Sequence, residues 1–282
     1  MERRLDEGKP SATAWGVAVR RAAHQLIDHP RVFDDPLAVT IVGDARVRAG
    51  LARERTPWGR ALRAHVCARS RFAEDRLTEA RARGVRQYVV LGAGLDTYGC
   101  RNPRAELDVF EVDHPATQAW KRKLLAAAGV DPPSTLTFAP VDFETQNLDE
   151  GLAAAGFAFD QPTMVSWLGV IMYLTEDAAF QTLGQVAAWP AGTEIVFDFP
   201  VTADLLSVPA RLAARLLARR VAAAGEPFRA AYAPEDLKRR LLQTGFSRVD
   251  ILGPDELNAR YFSGRGDGLR LHGSGRLACA RV

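Results

Sequence analysis

Hydrophobic and polar positions along the chain change their period near residue 87. Before it, apolar residues recur at the three- and four-residue spacing of amphipathic helices, and no strand pattern is evident. One helix start is marked by Asp35-Pro36, with proline in the first turn. The predicted helices are 12–28, one beginning at Asp35-Pro36, and 59–83. The pattern therefore predicts a helical N-terminal cap over residues 1–86.

From Gln87 onward, short apolar runs alternate with helical segments. The runs typical of buried strands are QYVVL, LDVFEV, TLTFAP, PTMVSW, TEIVFDFP, FSRVDIL and LACARV. The helices between them are predicted at 116–129, 175–189 and 234–244. This alternation predicts an α/β domain over residues 87–282 with a doubly wound, mostly parallel sheet. The extra helical segment 203–224 and the loop after it predict a lid-like insertion at 203–233.

Composition narrows the class of protein. The chain has 282 residues, of which 47% are hydrophobic and 25% charged, as in ordinary soluble proteins. No apolar stretch is long enough for a membrane span. The three cysteines form no CxxC pair and the five histidines no HxxxH pair, so we expect a cytoplasmic protein without a metal site.

The net charge and its distribution along the chain give only weak information about binding partners. The net charge of +3 is too small to demand a nucleic acid, and no basic run is interleaved with aromatic residues. The basic excess lies in residues 1–86, where it is compatible with an anionic substrate but also with a solvated, arginine-rich helical surface. We expect a small-molecule substrate and neither a nucleic acid nor a membrane partner; the oligomeric state stays open.

A glycine turn and a spaced acid indicate an adenosine-type ligand. The first predicted strand ends in Leu91-Gly92-Ala93-Gly94, and the second ends at Asp113, 19 residues past Gly94. In open α/β sheets ligands bind outside the carboxyl ends of the strands, and an acid in this position can accept both ribose hydroxyls.

Residues after the turn favour S-adenosylmethionine over NAD. Thr97 stands where a dinucleotide fingerprint needs its third glycine, and Asp96 would repel a diphosphate. The amino group of S-adenosylmethionine, in contrast, is cationic. The alternatives left open are an NAD(P)-dependent oxidoreductase, although no Tyr-x-x-x-Lys pair exists, and a tight turn without a ligand.

The segments VVLGAGLDTYGCR, VFEVDHPATQAWKRKLL, FAPVDFE and SWLGVIMYLT, with the opening SATAWGVAVRRAAHQLIDHPRVFDDPLA, cover nearly the whole chain. Together they resemble the leucine carboxyl methyltransferase family, in particular its bacterial branch of S-adenosylmethionine-dependent methyltransferases. The resemblance implies a class I methyltransferase (Rossmann-like) fold with a helical N-terminal cap and an antiparallel last strand.

The resemblance also implies residue roles. Arg69 matches the arginine that pairs with the cofactor's carboxylate, Gly92 and Gly94 match the turn under the methionine portion, and Asp113 matches the ribose acid. Asp142 and Phe143 match the pair that holds the adenine. The candidate cofactor-binding set is Arg69, Gly92, Gly94, Asp113, His114, Asp142, Phe143 and Trp167.

Two positions depart from the family pattern. Leu168 stands where many relatives have Glu, five residues before the tyrosine that is Tyr173 here, and Tyr98 stands where many bacterial relatives have Arg. Both changes affect the prediction of the substrate more than that of the cofactor.

The predicted function is an S-adenosylmethionine-dependent O-methyltransferase that esterifies a carboxylate on a small molecule, with a place in secondary metabolism. A carboxylate is ionised at neutral pH and needs no general base, and no strong base candidate is evident. Tyr173 and His24 are the candidate catalytic residues. Arg21, Tyr98, Arg101 and Tyr173 are the candidate substrate-binding residues, and Arg20 is a further arginine that could clamp an acid. Hydroxyl or amine methylation, and a binding protein that has lost its chemistry, are the remaining alternatives.

Overall fold

The computed structural model describes residues 11–102 and 106–282. Helices precede the sheet, as the periodicity predicts. Side-chain caps define their starts: the Ser11 hydroxyl accepts from the N–H of Ala14, and Asp35 accepts from the N–H of Ala38. These helices are α1 (Ala12–Ile27), α2 (Pro36–Val42), α3 (Asp44–Glu54) and α4 (Pro57–Ala82).

The described residues form one seven-stranded sheet in the order β3-β2-β1-β4-β5-β7-β6. Strand β7 runs antiparallel to both β5 and β6, and the other pairs are parallel. This confirms the predicted fold class, including the antiparallel last strand. The strands are β1 (Gln87–Leu91), β2 (Asp108–Asp113), β3 (Leu136–Pro140), β4 (Thr163–Trp167), β5 (Glu194–Pro200), β6 (Arg248–Leu252) and β7 (Gly275–Arg281).

Helices connect the strands and cover both faces of the sheet. They are α5 (Tyr98–Arg101), α6 (Pro115–Ala127), α7 (Leu148–Ala154), α8 (Glu176–Ala187), α9 (Val208–Ala223), α10 (Pro234–Thr244) and α11 (Pro254–Tyr261). No helix of the described part is long and apolar enough to cross a membrane.

The strand order places the ligand-binding edge. β1 pairs with β2 on one side and with β4 on the other, so the direction in which the chain winds reverses between β1 and β4. At such a switch point the loops after the two strands diverge to opposite faces and leave a crevice at the carboxyl ends. The turns that follow Leu91 and Trp167 therefore frame the candidate site.

Alternate residues of the central strands build two cores. Val89 and Val165 face one cluster with α8 and α10, whereas Val90 and Met164 face a second cluster under α4. Helix α4 is thereby packed on the sheet itself.

Segment 203–224, predicted as one helix, forms a 3₁₀ turn at Ala203–Leu205 and then α9. None of the residues of α9 is buried, and a stripe of its apolar side chains is exposed. The stripe consists of Val208, Leu212 and Leu216, and Leu205 in the preceding 3₁₀ turn is exposed as well. The lid-like role of this insertion stays a prediction.

A buried carboxylate ties α4 to the sheet. Glu194 at the start of β5 accepts from Arg76 at 2.5 Å, Arg83 at 3.0 Å and Arg281 at 2.9 Å. Burial alone would raise the pKa of Glu194, but the hydrogen bonds from Arg76 and Arg281 outweigh it and lower that pKa from 4.5 to about 2. The ionised carboxylate is therefore stabilised by folding.

We expect Glu194→Gln to lower the free energy of unfolding at neutral pH by roughly 3 kcal/mol. Because the folded pKa lies below the unfolded one, the wild-type contribution is present above pH 4.5 and is lost as the pH falls toward 2. Urea melts between pH 7 and pH 3 should show this slope in the wild type and a flatter one in the variant. Glu235→Gln, on the exposed surface of α10, is the matched control. An equal slope in wild type and Glu194→Gln would contradict the assignment.

Candidate cofactor site and active site

The glycine turn after β1 lies at the switch point, against two other segments. Gly92 and Gly94 have φ angles of 62° and 51°, in the left-handed region that favours glycine. A Cβ at Gly92 would lie 2.3 Å from Val170 Cγ2, in the turn after β4, and one at Gly94 would lie 3.1 Å from Ala14 Cβ on α1. Both glycines are therefore required because the turn packs closely against α1 and the turn after β4.

Asp113 ends β2 beside this turn. One carboxylate oxygen accepts from the backbone N–H of Gly94 at 2.5 Å, and the other accepts from that of His114 at 2.7 Å. Burial raises the pKa of Asp113, although these two N–H groups act in the opposite direction. The His114 ring caps α6 by accepting from the N–H of Ala116. Asp113 is thus held in a fixed orientation with lone pairs to spare for further donors.

A second carboxylate, Asp198 on β5, connects helix α4 to the turn that follows β4. It is buried, and it accepts from Arg69 Nη1 at 2.7 Å, from the N–H of Gly169 at 2.5 Å, and pairs with His65 Nε2 at 3.1 Å. Burial alone would raise the pKa of Asp198, but Arg69 and His65 outweigh it and hold that pKa well below its usual range. Arg69 is therefore anchored by an ionised partner.

Neither Asp198 nor His65 was among the candidates from the sequence. The available signal was a charged residue inside the apolar run TEIVFDFP, near the carboxyl end of a central strand. A carboxylate in such a position must have a partner, because an unpaired buried charge is strongly unfavourable.

Tyr173 lies in the 3₁₀ turn Ile171–Tyr173 that follows β4. Its hydroxyl is hydrogen-bonded to Thr13 on α1, and its ring centroid lies 5.4 Å from that of Phe228. Burial raises the pKa of Tyr173 to about 12. The phenol is therefore protonated at neutral pH and acts as a hydrogen-bond donor.

Arg21 and Arg101 are engaged within the protein. Arg21 Nη1 donates to Asp96 at 2.9 Å and its Nε lies 3.4 Å from Asp35. Arg101 donates to Thr97 at 2.9 Å and is paired with Glu74. The two arginines brace the segment after the glycine turn against α2 and α4, so the geometry favours a structural role over the predicted substrate clamp.

Tyr98 and Leu168 occupy the positions where the chain departs from the family pattern. The Tyr98 ring packs edge-on against Tyr88, with centroids 5.0 Å apart, and Leu168 packs against the same core cluster under α4.

His24 does not reach the site, which corrects its prediction as a catalytic residue. The side chain has no exposed surface; Nδ1 pairs with Asp28 at 2.7 Å and Nε2 accepts from the N–H of Val32 at 3.0 Å. With both ring nitrogens engaged, His24 fixes the loop after α1 and has no nitrogen left for a substrate.

The predicted adenine residues follow β3. Asp142 accepts from the N–H of Glu144 at 3.0 Å and from the Thr145 hydroxyl at 2.8 Å, which shapes a tight turn. The Phe143 ring lies 6.4 Å from that of Trp167. Trp167 is fully buried, and its Nε1 has no hydrogen-bond partner among the described residues.

Arg20 differs from the other arginines of this region. Its Nη1 donates to the carbonyl oxygen of Gly16 at 2.9 Å, while its Nε is buried without a partner in the described part of the chain. Burial lowers the pKa of Arg20, and the charges of Arg53 and Arg69 act in the same direction, whereas Glu54 acts in the opposite one.

A doubly wound sheet with a glycine turn at the switch point and an acid at the end of β2 defines a nucleoside-cofactor enzyme. Two solved structures share this fold at low sequence identity. One is from Thermobifida fusca and is provisionally named a methyltransferase. It has a TM-score of 0.56 and 19% sequence identity, and the match covers 98% of this chain and 96% of that one. A duf574 family protein from Streptomyces avermitilis has a TM-score of 0.55 and 16% identity, over 93% and 96%.

The family profile named leucine carboxyl methyltransferase matches residues 14–187, and the chain belongs to this family. A Bacillus subtilis (strain 168) protein, YktD, is 29% identical over 94% of this chain and 95% of its own length. A Mycolicibacterium gilvum protein is 34% identical over 72% and 80%. Both are provisionally named S-adenosyl-L-methionine-dependent methyltransferases.

The chain is therefore an S-adenosylmethionine-dependent methyltransferase. This confirms the predicted enzyme class and cofactor, and it decides against the oxidoreductase and the non-catalytic alternatives.

The residues at the switch point fit this cofactor. The turn at Gly92 and Gly94 packs closely against Val170 and Ala14, and Asp113 presents oriented acceptor oxygens beside it. The Trp167 Nε1 near Phe143 is a buried donor without a partner in the described residues.

Proposed function

We propose that this enzyme methyl-esterifies a carboxylate on an acidic small molecule. The observation that supports this is the character of the edge around Tyr173. It presents the protonated phenol of Tyr173 together with Arg20 and Arg69, whereas its histidine, His65, is engaged with Asp198. Glu226 is a further carboxylate within electrostatic range of Tyr173. Such a site suits an acceptor that is already anionic and needs no deprotonation.

The same proposal assigns the cofactor contacts. The backbone at Gly92 and Gly94 approaches the methionine portion, and Asp113 accepts the ribose hydroxyls. Phe143 and Asp142 contact the adenine, and Arg69 shares its charge between Asp198 and the cofactor's carboxylate. When bound, S-adenosylmethionine supplies an electrophilic methyl group on a sulfonium.

The chain's own residues contribute orientation and exclusion of water. Tyr173 donates a hydrogen bond across the edge toward the acceptor, since its pKa of about 12 keeps its proton in place. Helix α1 lies against the glycine turn through Ala14 and is hydrogen-bonded to Tyr173 through Thr13. Orientation of two reactants in such a site can be worth about 7–11 kcal/mol of the barrier.

The insertion 203–233 acts as the lid of this site in the same proposal. The N–H of Arg229 donates to the carbonyl oxygen of Met172 at 2.7 Å, and Phe228 packs on Tyr173. The segment after α9 is therefore fastened to the turn that carries Tyr173. The unpaired state of Cys67, Cys100 and Cys279 supports a cytoplasmic setting.

The chemical stability of the product tests the proposed function. The enzyme is incubated with methyl-labelled S-adenosylmethionine and matched panels of carboxylic acids, alcohols and amines. We expect labelled products from the acids alone, and mild base should release their label as methanol because they are esters. Base-stable labelled products from the alcohols or amines would instead establish hydroxyl or amine methylation.

Removal of the ribose acid tests the cofactor assignment. Asp113→Ala should weaken binding of S-adenosylhomocysteine by one or two charge-assisted hydrogen bonds, about 1.5–3 kcal/mol each. Isothermal titration calorimetry measures the loss, and Asp108→Ala, exposed at the opposite end of β2, is the control. Equal affinity in wild type and Asp113→Ala would contradict the ribose role.

A further inference from the structure

Three arginines of the cap and the turn were candidates for an acid clamp, and the structure separates them. Arg21 and Arg101 each have carboxylate partners, Asp96 and Glu74 respectively. Arg20 has no ion pair within the described residues, although it is partly buried. Of these three arginines, Arg20 alone has a charge that no described carboxylate neutralises by contact.

One edge of the Arg20 guanidinium has no hydrogen-bond partner in the described part of the chain. Nη1 is engaged with the carbonyl oxygen of Gly16, but Nε and Nη2 make no hydrogen bond to the described residues. Nε and Nη2 form the planar edge that accepts both oxygens of a carboxylate. Burial of an N–H group without a hydrogen-bond partner is unfavourable. Binding of an acceptor to this edge of the guanidinium would therefore be favourable.

Gly16 makes room for this arrangement. A Cβ at Gly16 would lie 3.0 Å from Arg20 Nη1, which is tighter than an ordinary contact. The absence of a side chain one helical turn earlier allows the guanidinium to fold back along α1. Thr13, on the same helix, is hydrogen-bonded to Tyr173. This stretch of α1 therefore borders the turn after β4 that carries the Tyr173 phenol.

Arg20 and Arg69 also act on each other through their charges. Burial lowers the pKa of Arg20 most, Glu54 acts in the opposite direction, and Arg53 and Arg69 lower it further. Tyr173 lies within electrostatic range of both Arg20 and Arg69. Of these two arginines, only Arg69 forms an ion pair with Asp198. An anion bound next to Arg20 would therefore relieve both the missing hydrogen bonds and the repulsion between the two arginines.

We propose that Arg20 is the residue that binds the carboxylate of the methyl acceptor, through Nε and Nη2, and so selects acidic substrates. This rests on the proposed function above. Arg20 binds and orients the acceptor, and it takes no part in holding the cofactor, which is assigned to Arg69, Asp113 and the glycine turn.

Binding of carboxylate probes to the enzyme saturated with S-adenosylhomocysteine tests the assignment. The probes are benzoate, phenylacetate, octanoate and succinate, each compared with its neutral amide. We expect at least one acid to bind more tightly than its amide. In Arg20→Gln the affinity for that acid should fall by roughly 30- to 100-fold, as expected for two charge-assisted hydrogen bonds.

Further variants separate binding from folding. Arg20→Lys keeps the charge without the fork and should recover part of the affinity, whereas Gly16→Ala should displace the guanidinium and lose part of it. Arg46→Gln, exposed on α3, is the matched control and should match wild type. Melting temperatures and affinity for S-adenosylhomocysteine should stay unchanged in Arg20→Gln.

Three results would overturn the proposal. They are no preference of wild type for any acid over its amide, equal acid binding in Arg20→Gln, and a loss of S-adenosylhomocysteine affinity in that variant. If labelled esters form but Arg20→Gln binds acids normally, the inference fails while the proposed function stands. If only base-stable products form, the proposed function itself fails.

Discussion

Gly94→Val should abolish cofactor binding while the fold persists. Gly94 has a φ of 51° and lies at the switch point, with Ala14 Cβ only 3.1 Å from where a side chain would begin. A β-branched residue there would collide with α1 and displace the backbone of the turn on which we expect the cofactor to lie. It also turns the N–H that Asp113 accepts. We expect the affinity for S-adenosylhomocysteine to fall by more than about 100-fold, that is, by more than ~2.7 kcal/mol.

The stability cost of the same change can be measured separately. Valine in the left-handed region costs roughly 1–2 kcal/mol wherever it is placed. Gly129, after α6, has a φ of 67° and no atom within 4 Å of its would-be Cβ. Gly129→Val should therefore lower the melting temperature similarly and leave cofactor affinity intact. Equal affinity in both variants would mean that the turn at Gly94 is structural only.

The sheet was predictable because its central strands are buried on both faces. All residues of β1 and β4 are buried, so QYVVL and TMVSW stand out as short apolar runs. The direction of β7 does not follow from such a run. It came from the resemblance to a known family, since periodicity reports burial and not strand direction.

Four helices escaped prediction: α5, which has only four residues, and three others in which few residues are buried apolar ones. In α3 the buried residues are Val47 and Glu54, and in α11 only Leu257 is buried. Helix α7 has seven residues, with Leu148 and Leu152 buried. A helix that buries one or two apolar side chains shows no measurable stripe, and its position is decided by tertiary packing.

The contacts of single residues at the site are likewise decided by tertiary packing and could not be predicted from local sequence. Arg20 and Arg21 are neighbours in the sequence and carry the same chemistry, yet successive positions on a helix point about 100° apart. Arg21 therefore faces Asp96 and Asp35, while Arg20 folds along α1 toward Gly16. The partners of Arg21 lie 14 and 75 positions further along the chain, and local sequence does not report which arginine they face.

Asp198 should prove the most consequential carboxylate for stability at the site. Asp198→Asn keeps the shape of the side chain but removes the charge that compensates Arg69, whose side chain is 9% exposed. Leaving one partner of a buried pair uncompensated typically costs about 3–5 kcal/mol. We expect a loss of that size in the free energy of unfolding, measured by urea melts at pH 7. Asp250→Asn, from an exposed pair with Arg248, should change it by less than about 0.5 kcal/mol.

A double variant and the cofactor itself distinguish charge compensation from packing. Replacing both partners, in Asp198→Asn with Arg69→Met, should recover a large part of the lost stability, since no unpaired charge then remains. If Arg69 also pairs with the cofactor's carboxylate, saturating S-adenosylhomocysteine should stabilise Asp198→Asn more than wild type, because the ligand supplies the missing negative charge. A double variant as unstable as the sum of its single changes would show that the pair is held by packing around β5 and not by its charge.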